Sequence, residues 1–275
     1  MRVLLTNDDG IEANGLQALR RALLRVPGID LQVVAPDGNR SATARSITIH
    51  RPLWVRDVDF GDGSVGYATD GTPVDCVRLA YLGLIGGWEP EMVVSGINHG
   101  SNIGDDITYS GTVAAALEAI VLGLPGIAVS QQSQALELDF RRGQTFDFDA
   151  AAAFAARLVA DLDNVPLPEA TLLNVNFPGC KPEGIEVARL GRRMYRDELE
   201  LIESDPDEPG RRRYRVYGEP ADHEREEHDT DVAAIAAHRV ALTPLHLDLT
   251  DRDGLQALIG HDLQHLLEEP IDQQP

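Results

Sequence analysis

Cysteine is almost absent. Cys76 and Cys180 are the only two in 275 residues, and no C-x-x-C spacing occurs. That argues against a disulfide framework or a thiolate metal site, and both thiols read as ordinary reduced side chains. Long apolar runs are missing too: no stretch reaches the roughly 18 residues that span a bilayer. The N-terminus shows no charged region, apolar core and cleavage site in series, because Asp8 and Asp9 interrupt the first apolar run. A cytoplasmic protein is the expectation. Basic residues are scarce, 24 against 45 acidic ones, for a formal net charge of −21. A field of that sign repels nucleic-acid backbones and anionic membranes. Neither a nucleic-acid polymer nor a membrane is therefore an expected partner, although a small phosphate ester beside a metal remains compatible. Lys181 is the only lysine, which reads as genome composition; adaptation to salt is an alternative origin for the acidic surface. No internal repeat appears, and the only biased tract is the short alanine run at 150–153.

What is present is enough apolar content, 43%, to bury a sizeable core. The length suits one large α/β domain or one with a smaller appendage. The stretch Val3-Leu4-Leu5-Thr6-Asn7-Asp8-Asp9-Gly10 organises the reading. It has strand character and stops at two adjacent carboxylates. In an open parallel sheet, ligands bind at the carboxyl edge of the strands. Two carboxylates there repel unless positive charge sits beside them. A divalent cation with oxygen ligands, Mg²⁺, Mn²⁺ or Ca²⁺, is one answer. A solvated Asp-Asp turn with Gly10 at positive φ is the other.

Along the chain, Leu16, Leu19, Leu23 and Leu24 recur at helical spacing and predict a helix from Asn14 to Val26. Leu31 to Ala35 predicts a strand, so strand–helix–strand opens a doubly wound sheet. The polar loop 37–46 follows, with Arg40, Ser41, Thr43, Arg45 and Ser46. Ile47 to Val55 alternates and predicts a strand, with a turn at Gly61-Asp62-Gly63 and a return over Val65 to Ala68. Thr72-Pro73 with Asp75 predicts a capped helix start, where Asp75 is favourable negative charge at a helix N-terminus. Glu91 to Ile97 is a buried strand that ends in the glycine-rich loop 98–106. Ser110-Gly111-Thr112 then opens a helix. It reads either as an anion site of free N–H groups and hydroxyls or as a plain cap by Ser110 or Thr112.

Further strands are predicted at Gly126 to Ser130, Thr171 to Phe177 and Arg239 to Thr243, with helices over Phe148 to Leu162 and Asp231 to Ala237. Residues 131–144 and the charged 219–231 read as a surface loop and a linker. Gly184 to Leu190 and Arg211 to Tyr217 predict the two arms of a protruding hairpin around the acidic tip 203–209. Arg192-Arg193 and Arg211-Arg212-Arg213 read as an anion site, or as charges that balance that tip or meet another subunit. Asp253 to Leu267 predicts an amphipathic helix whose leucines need a partner, which makes inter-subunit docking the expectation.

Three loops thus converge on one sheet edge: Asp8-Asp9 after the first strand, Ser41 after the second, and Asn98 to Thr112 after the strand at 91–97. They supply carboxylates, a hydroxyl, a side-chain amide and a helix N-terminus. A cation site beside an anion cradle is the general recipe for phosphoryl transfer.

The segments MRVLLTNDDGI (1–11), VVAPDGNRSATARSITIH (33–50), TDGTPVDCVRLA (69–80), VVSGINHGSNIGDDITYSGTVAAALEA (93–119) and LTPLH (242–246) carry a resemblance that runs nearly end to end. The chain resembles the SurE family, the survival-protein E nucleotidases. The resemblance implies a Rossmann-like three-layer α/β/α fold with a mostly parallel sheet, β-hairpin excursions and a C-terminal helix used in oligomerisation. One domain would span 1–275, with a core over 1–180 and protruding hairpin and oligomerisation elements over 184–275. It implies a divalent-metal-dependent phosphatase, a 5'-nucleotidase acting on nucleoside monophosphates, assembled as a homodimer or tetramer. Asp8, Asp9, Ser41 and Asn98 match the family's ligands to one Mg²⁺ or Mn²⁺ per subunit, with Asp8 and Asp9 the catalytic carboxylates. Asn102, Ser110, Gly111 and Thr112 match its phosphate-binding positions. His99 and Ser101 depart from the family pattern beside those ligands.

Rival readings stand beside it. A haloacid-dehalogenase-like phosphatase with an aspartyl-phosphate intermediate needs aspartates spaced D-x-D, whereas Asp8 and Asp9 are adjacent. A non-catalytic nucleotide-binding regulatory module is another. A Ser–His–Asp hydrolase lacks its G-x-S-x-G elbow.

Overall fold

A computed structural model describes residues 1–136, 145–192, 199–206, 208, 210–216 and 228–267. Strands β1 (Arg2–Thr6), β2 (Asp30–Pro36), β3 (Val55–Asp59), β4 (Val65–Thr69), β5 (Met92–His99), β6 (Gly126–Gln131), β7 (Thr171–Phe177), β8 (Gly184–Val187) and β11 (Arg239–His246) form one sheet in the order β3-β4-β2-β1-β5-β6-β7-β11-β8. From β4 through β7 the pairs are parallel, while β3 and β11 run antiparallel to β4 and β7. A separate antiparallel pair joins β9 (Glu200–Ser204) to β10 (Arg212–Arg215).

Helices α1 (Asn14–Leu23), α2 (Pro73–Tyr81), α3 (Gly111–Val121) and α4 (Asp149–Ala160) cover both faces. The alternation within β1 decides which residue faces which layer. Val3 and Leu5 pack with Leu16 and Leu19 of α1 and Ala151 and Ala155 of α4, while Leu4 packs with Val77 and Ala80 of α2 and Ala115 and Ala119 of α3. This is the three-layer α/β/α arrangement the sequence predicts. Helix α5 (Asp231–Ala236) packs on the β11 side, where Val232, Ala234 and Ile235 meet Ala241 and Ile103.

Chain order reverses around β1, with β2 on one side and β5 on the other. The carboxyl edge between β1 and β5 is therefore the switch point where open α/β sheets bind ligands. Asp8 and Asp9 leave β1 there, and Asn98 closes β5 there.

The helix start at Thr72 is a reciprocal capping box. Thr72 Oγ1 accepts from the Asp75 N–H at 3.2 Å, and Asp75 Oδ2 accepts from the Thr72 N–H at 2.9 Å.

Three predicted elements differ. The strand expected over Ile47 to Val55 begins only at Val55. Pro52 has no N–H to donate, and the N–H groups of Thr48 and Trp54 go to the Asp75 and Asp70 carboxylates instead of a ladder. The run from Gly184 is not a hairpin arm: it pairs in parallel with β11 at the edge of the main sheet, and the hairpin's first strand is Glu200–Ser204. The sheet therefore crosses the boundary near 180. Alternation identifies a strand but not its partner. The predicted helix from Asp253 is shorter. Helix α6 (Arg252–Ile259) stops at Gly260, and a 3-10 turn follows at Gln264–Leu267.

The hairpin arginines pair within it, Arg211 to Glu208 at 3.0 Å, Arg213 to Glu203 at 3.2 Å and Arg215 to Glu200 at 2.6 Å. Positions 137–144 of the predicted surface loop, Arg193, positions 207 and 209 of the tip, Tyr217 and residues 219–227 of the predicted linker lie outside the described residues. Among the described residues no helix is long and apolar enough to cross a membrane.

Candidate active site

The turn after β1 is laced by Asn7. Its Nδ2 donates to the Gly10 carbonyl at 2.9 Å, and its Oδ1 accepts from the Gly10 N–H at 3.2 Å. Gly10 sits at φ +108°, a conformation L side chains rarely adopt, and lies against Gly38 of the next loop. The glycine half of the plain-turn reading therefore holds, and the carboxylates it displays still need their own account.

Asp8 is 3% exposed and lies under the start of α3. Thr112 Oγ1 donates to Asp8 Oδ1. Burial above all, and then the Asp9 charge, push the Asp8 carboxyl up to about 6, against the lowering effect of the Thr112 donors. A group lifted in this way marks a place where positive charge is stabilising.

Asp9 is held from the loop after β2 and from the end of β5. Asn39 Nδ2 donates to its Oδ1 at 3.2 Å, while the His99 N–H and His99 Nδ1 meet its Oδ2 at 3.1 and 2.7 Å. Asn39 also receives the Ser41 N–H on its Oδ1 at 2.9 Å. Ser41 thus joins the carboxylate pair through Asn39, with its own side chain on an exposed loop. That loop is tied down further on. The Ala44 N–H donates to the Tyr109 carbonyl at 3.1 Å, and Arg45 Nη2 reaches Glu118 of α3 at 2.8 Å. Glu118 is buried and also accepts from Arg78 Nε of α2 at 2.7 Å. Arg40 pairs with Asp37 at 2.6 Å. Both arginines of this loop are thus paired to carboxylates.

Asn98 is buried at the end of β5, and its Nδ2 donates to the Gly100 carbonyl at 2.9 Å. Asn102 lies on the β6–β7 side. Its N–H donates to Asn176 Oδ1 at 2.8 Å and its Nδ2 to Ser130 Oγ at 2.8 Å. Its carbonyl accepts from Asn174 and Asn176, each at 2.9 Å. Ser110 is the N-cap of α3, its Oγ accepting from the Val113 N–H at 3.1 Å. The cap reading of Ser110 is therefore correct, and the next residue, Gly111, packs directly against Asp8. Asp231 anchors the loop from below through the N–H groups of Gly104, Gly191 and Val232. Burial, with Asp105 and Asp231 nearby, lifts Asp106 to about 7.

The donor set fits a hard divalent cation. Among the described residues no group of three or more His, Cys, Asp or Glu side chains could hold a metal. A cation here would rely on the two carboxylates completed by the neutral oxygens of Ser41 and Asn98, a donor type that suits Mg²⁺ and Mn²⁺ rather than softer metals.

Sequence reasoning missed Asn39, Glu118, Asn174 and Asn176. A signal existed for the last two, because asparagines at alternate positions in a largely buried strand need partners on one face.

The family model described as "Survival protein SurE" matches residues 3–197. The chain is 51% identical to the "5'-nucleotidase SurE" of Rubrobacter xylanophilus over 97% of this chain and 99% of that one. It is 47% identical to the protein of the same name from Chloroflexus aggregans, over 94% and 98% of the two chains. Its fold matches the crystal structure of the SurE protein from Aquifex aeolicus with a TM-score of 0.77 at 36% identity, covering 98% of this chain and all of that one.

Proposed function

Because the chain belongs to the SurE family, we propose that it is a nucleotidase, a divalent-metal-dependent phosphatase that hydrolyses nucleoside monophosphates to nucleoside and phosphate. One observation carries the reading: the N-terminus of α3 rests on the buried carboxylate of Asp8, beside Asp9, at the switch point of the sheet. A cation-binding pair and an anion-binding helix start meet at one spot, and a phosphate monoester needs both.

Asp8, Asp9, Ser41 and Asn98 would hold one Mg²⁺ or Mn²⁺ per subunit, which when bound supplies Lewis-acid polarisation of a phosphoryl oxygen. Gly111 and Thr112 offer first-turn N–H groups to the remaining oxygens, with Ser110 and Asn102 flanking them. Water attacks phosphorus in line and the bond to the ester oxygen breaks. The carboxylate pair takes the proton of the water and passes it to the ester oxygen, so the nucleoside leaves as its alcohol. The adjacent spacing of Asp8 and Asp9 favours this route over an aspartyl-phosphate one. Leu255, Leu258, Ile259 and Leu263 are exposed around α6, which supports burial of that segment against a second copy in a dimer or tetramer.

Phosphate release from AMP, GMP and a chromogenic phosphomonoester tests the reading. The wild type releases phosphate, and Asp9→Asn, folded by circular dichroism, loses more than about 100-fold in kcat. Nucleotide binding without release would point to a regulatory module instead, and an Asp9→Asn variant with unchanged turnover would remove Asp9 from the mechanism.

A further inference from the structure

The geometry points to His99 as a positioning residue that fixes the Asp9 carboxylate for a divalent cation; the inference rests on the metal-dependent reading above. Asp9 Oδ2 receives two donors from this one residue, the backbone N–H at 3.1 Å and ring Nδ1 at 2.7 Å. The acceptor is a carboxylate, so Nδ1 is the nitrogen that carries the proton. The other oxygen, Oδ1, takes Asn39 Nδ2. Donors from the end of β5 and from the loop after β2 therefore set the plane of the Asp9 carboxylate.

The imidazole is itself held. Phe146 and Phe148 meet it edge-on, with ring centroids 5.1 and 4.9 Å away and interplanar angles of 89° and 80°. The two phenyl rings stack on each other at 5.6 Å and 10°. Such edge-to-face contacts fix a ring's orientation as well as bury it. Asp9 has single bonds about which its carboxylate could turn without these donors. A cation gains most from a carboxylate that needs no reorientation on binding, and donors to liganding groups commonly change metal affinity about 10–100-fold. His99 acts through Asp9 and is given no contact with substrate.

Two variants separate the hydrogen bond from the packing. His99→Asn keeps an N–H donor near the position of Nδ1 but removes the ring. His99→Leu keeps apolar volume between the phenylalanines but removes the donor. Mn²⁺ binding to the substrate-free protein is followed by electron paramagnetic resonance, with thermal melts as a fold check and kcat measured across Mn²⁺ concentrations. The expected result is a dissociation constant raised about 10–100-fold in His99→Leu, near wild type in His99→Asn, with kcat recovering at saturating Mn²⁺ in both. Wild-type affinity in His99→Leu overturns the role of His99 alone. Equal weakening in both variants also overturns it, since ring packing then carries the effect. A wild-type protein that binds no Mn²⁺ overturns the metal reading and this inference with it.

Discussion

Gly111 approaches Asp8 so closely that a Cβ built on it would lie 2.7 Å from Asp8 Cβ and 3.0 Å from Oδ2. The start of α3 and the first carboxylate are therefore one packed unit, and only glycine permits it. Gly111→Ala must push the helix start away from β1. Displacements near 1 Å at a catalytic centre cost about 10²-fold in rate. The expected variant melts cooperatively but turns over about 100-fold more slowly. Steady-state kinetics beside a thermal melt check this, and an alanine variant of wild-type activity would show that the contact is not needed.

The Asp8 carboxyl provides a pH signature in metal-free protein. Its folded value of about 6 lies above the ordinary 3.8. Folding therefore favours the protonated form. The cost is absent below about pH 4, grows as pH rises through 6 and is complete above it. Two pK units amount to about 3 kcal/mol at most. In EDTA, Asp8→Asn is expected to melt above wild type at pH 8, with the gap closing towards pH 4. A gap independent of pH would mean that Asp8 is not the titrating group.

Glu118 clamps the loop that carries Ser41. Its buried carboxylate accepts from Arg45 and Arg78, whose side chains are 37% and 45% exposed. Breaking a fully buried pair costs about 3–5 kcal/mol, and solvent access of both arginines brings Glu118→Gln down to about 1–2 kcal/mol. Denaturant unfolding should show that loss, and Mn²⁺ affinity should fall as the loop loosens. A stable variant with unaltered metal binding would mean that Ala44 and Asn39 hold the loop unaided.

Asn176 holds the backbone of Asn102 at both its N–H and its carbonyl. Asn176→Ala leaves a buried N–H without its acceptor, a cost of about 1–3 kcal/mol. The turn that carries Asn102 should shift, weakening inhibition by inorganic phosphate and raising KM more than it lowers kcat. Unchanged phosphate inhibition would place Asn102 outside the binding pocket.

Local signals were the legible ones. The apolar run ending at Asp8-Asp9, the Thr72-Pro73-Asp75 start and the Ser110 cap are each written within a few residues, and each forms as its chemistry dictates. The doubly wound sheet followed from strand–helix alternation, while the switch point needed the strand order. What escaped depends on partners distant in sequence. Nothing near Gly184 says that it pairs with Arg239, and nothing near Ile47 says that Asp75 and Asp70 will take the N–H groups a strand would need. Asn39, His99 and Asn176 act in the same way, as polar side chains whose meaning lies in the groups that other loops bring to them. Glu118 belongs with them, since its role comes from two arginines of other elements.

Service of a divalent cation by Asp8 and Asp9 in phosphate-ester hydrolysis is open to a direct test. The most direct measurement is phosphate release from a nucleoside monophosphate by protein stripped with EDTA, before and after Mn²⁺ or Mg²⁺ is returned in excess of the chelator. The account predicts activity abolished by stripping and restored by the metal. Full activity in metal-free buffer would contradict it.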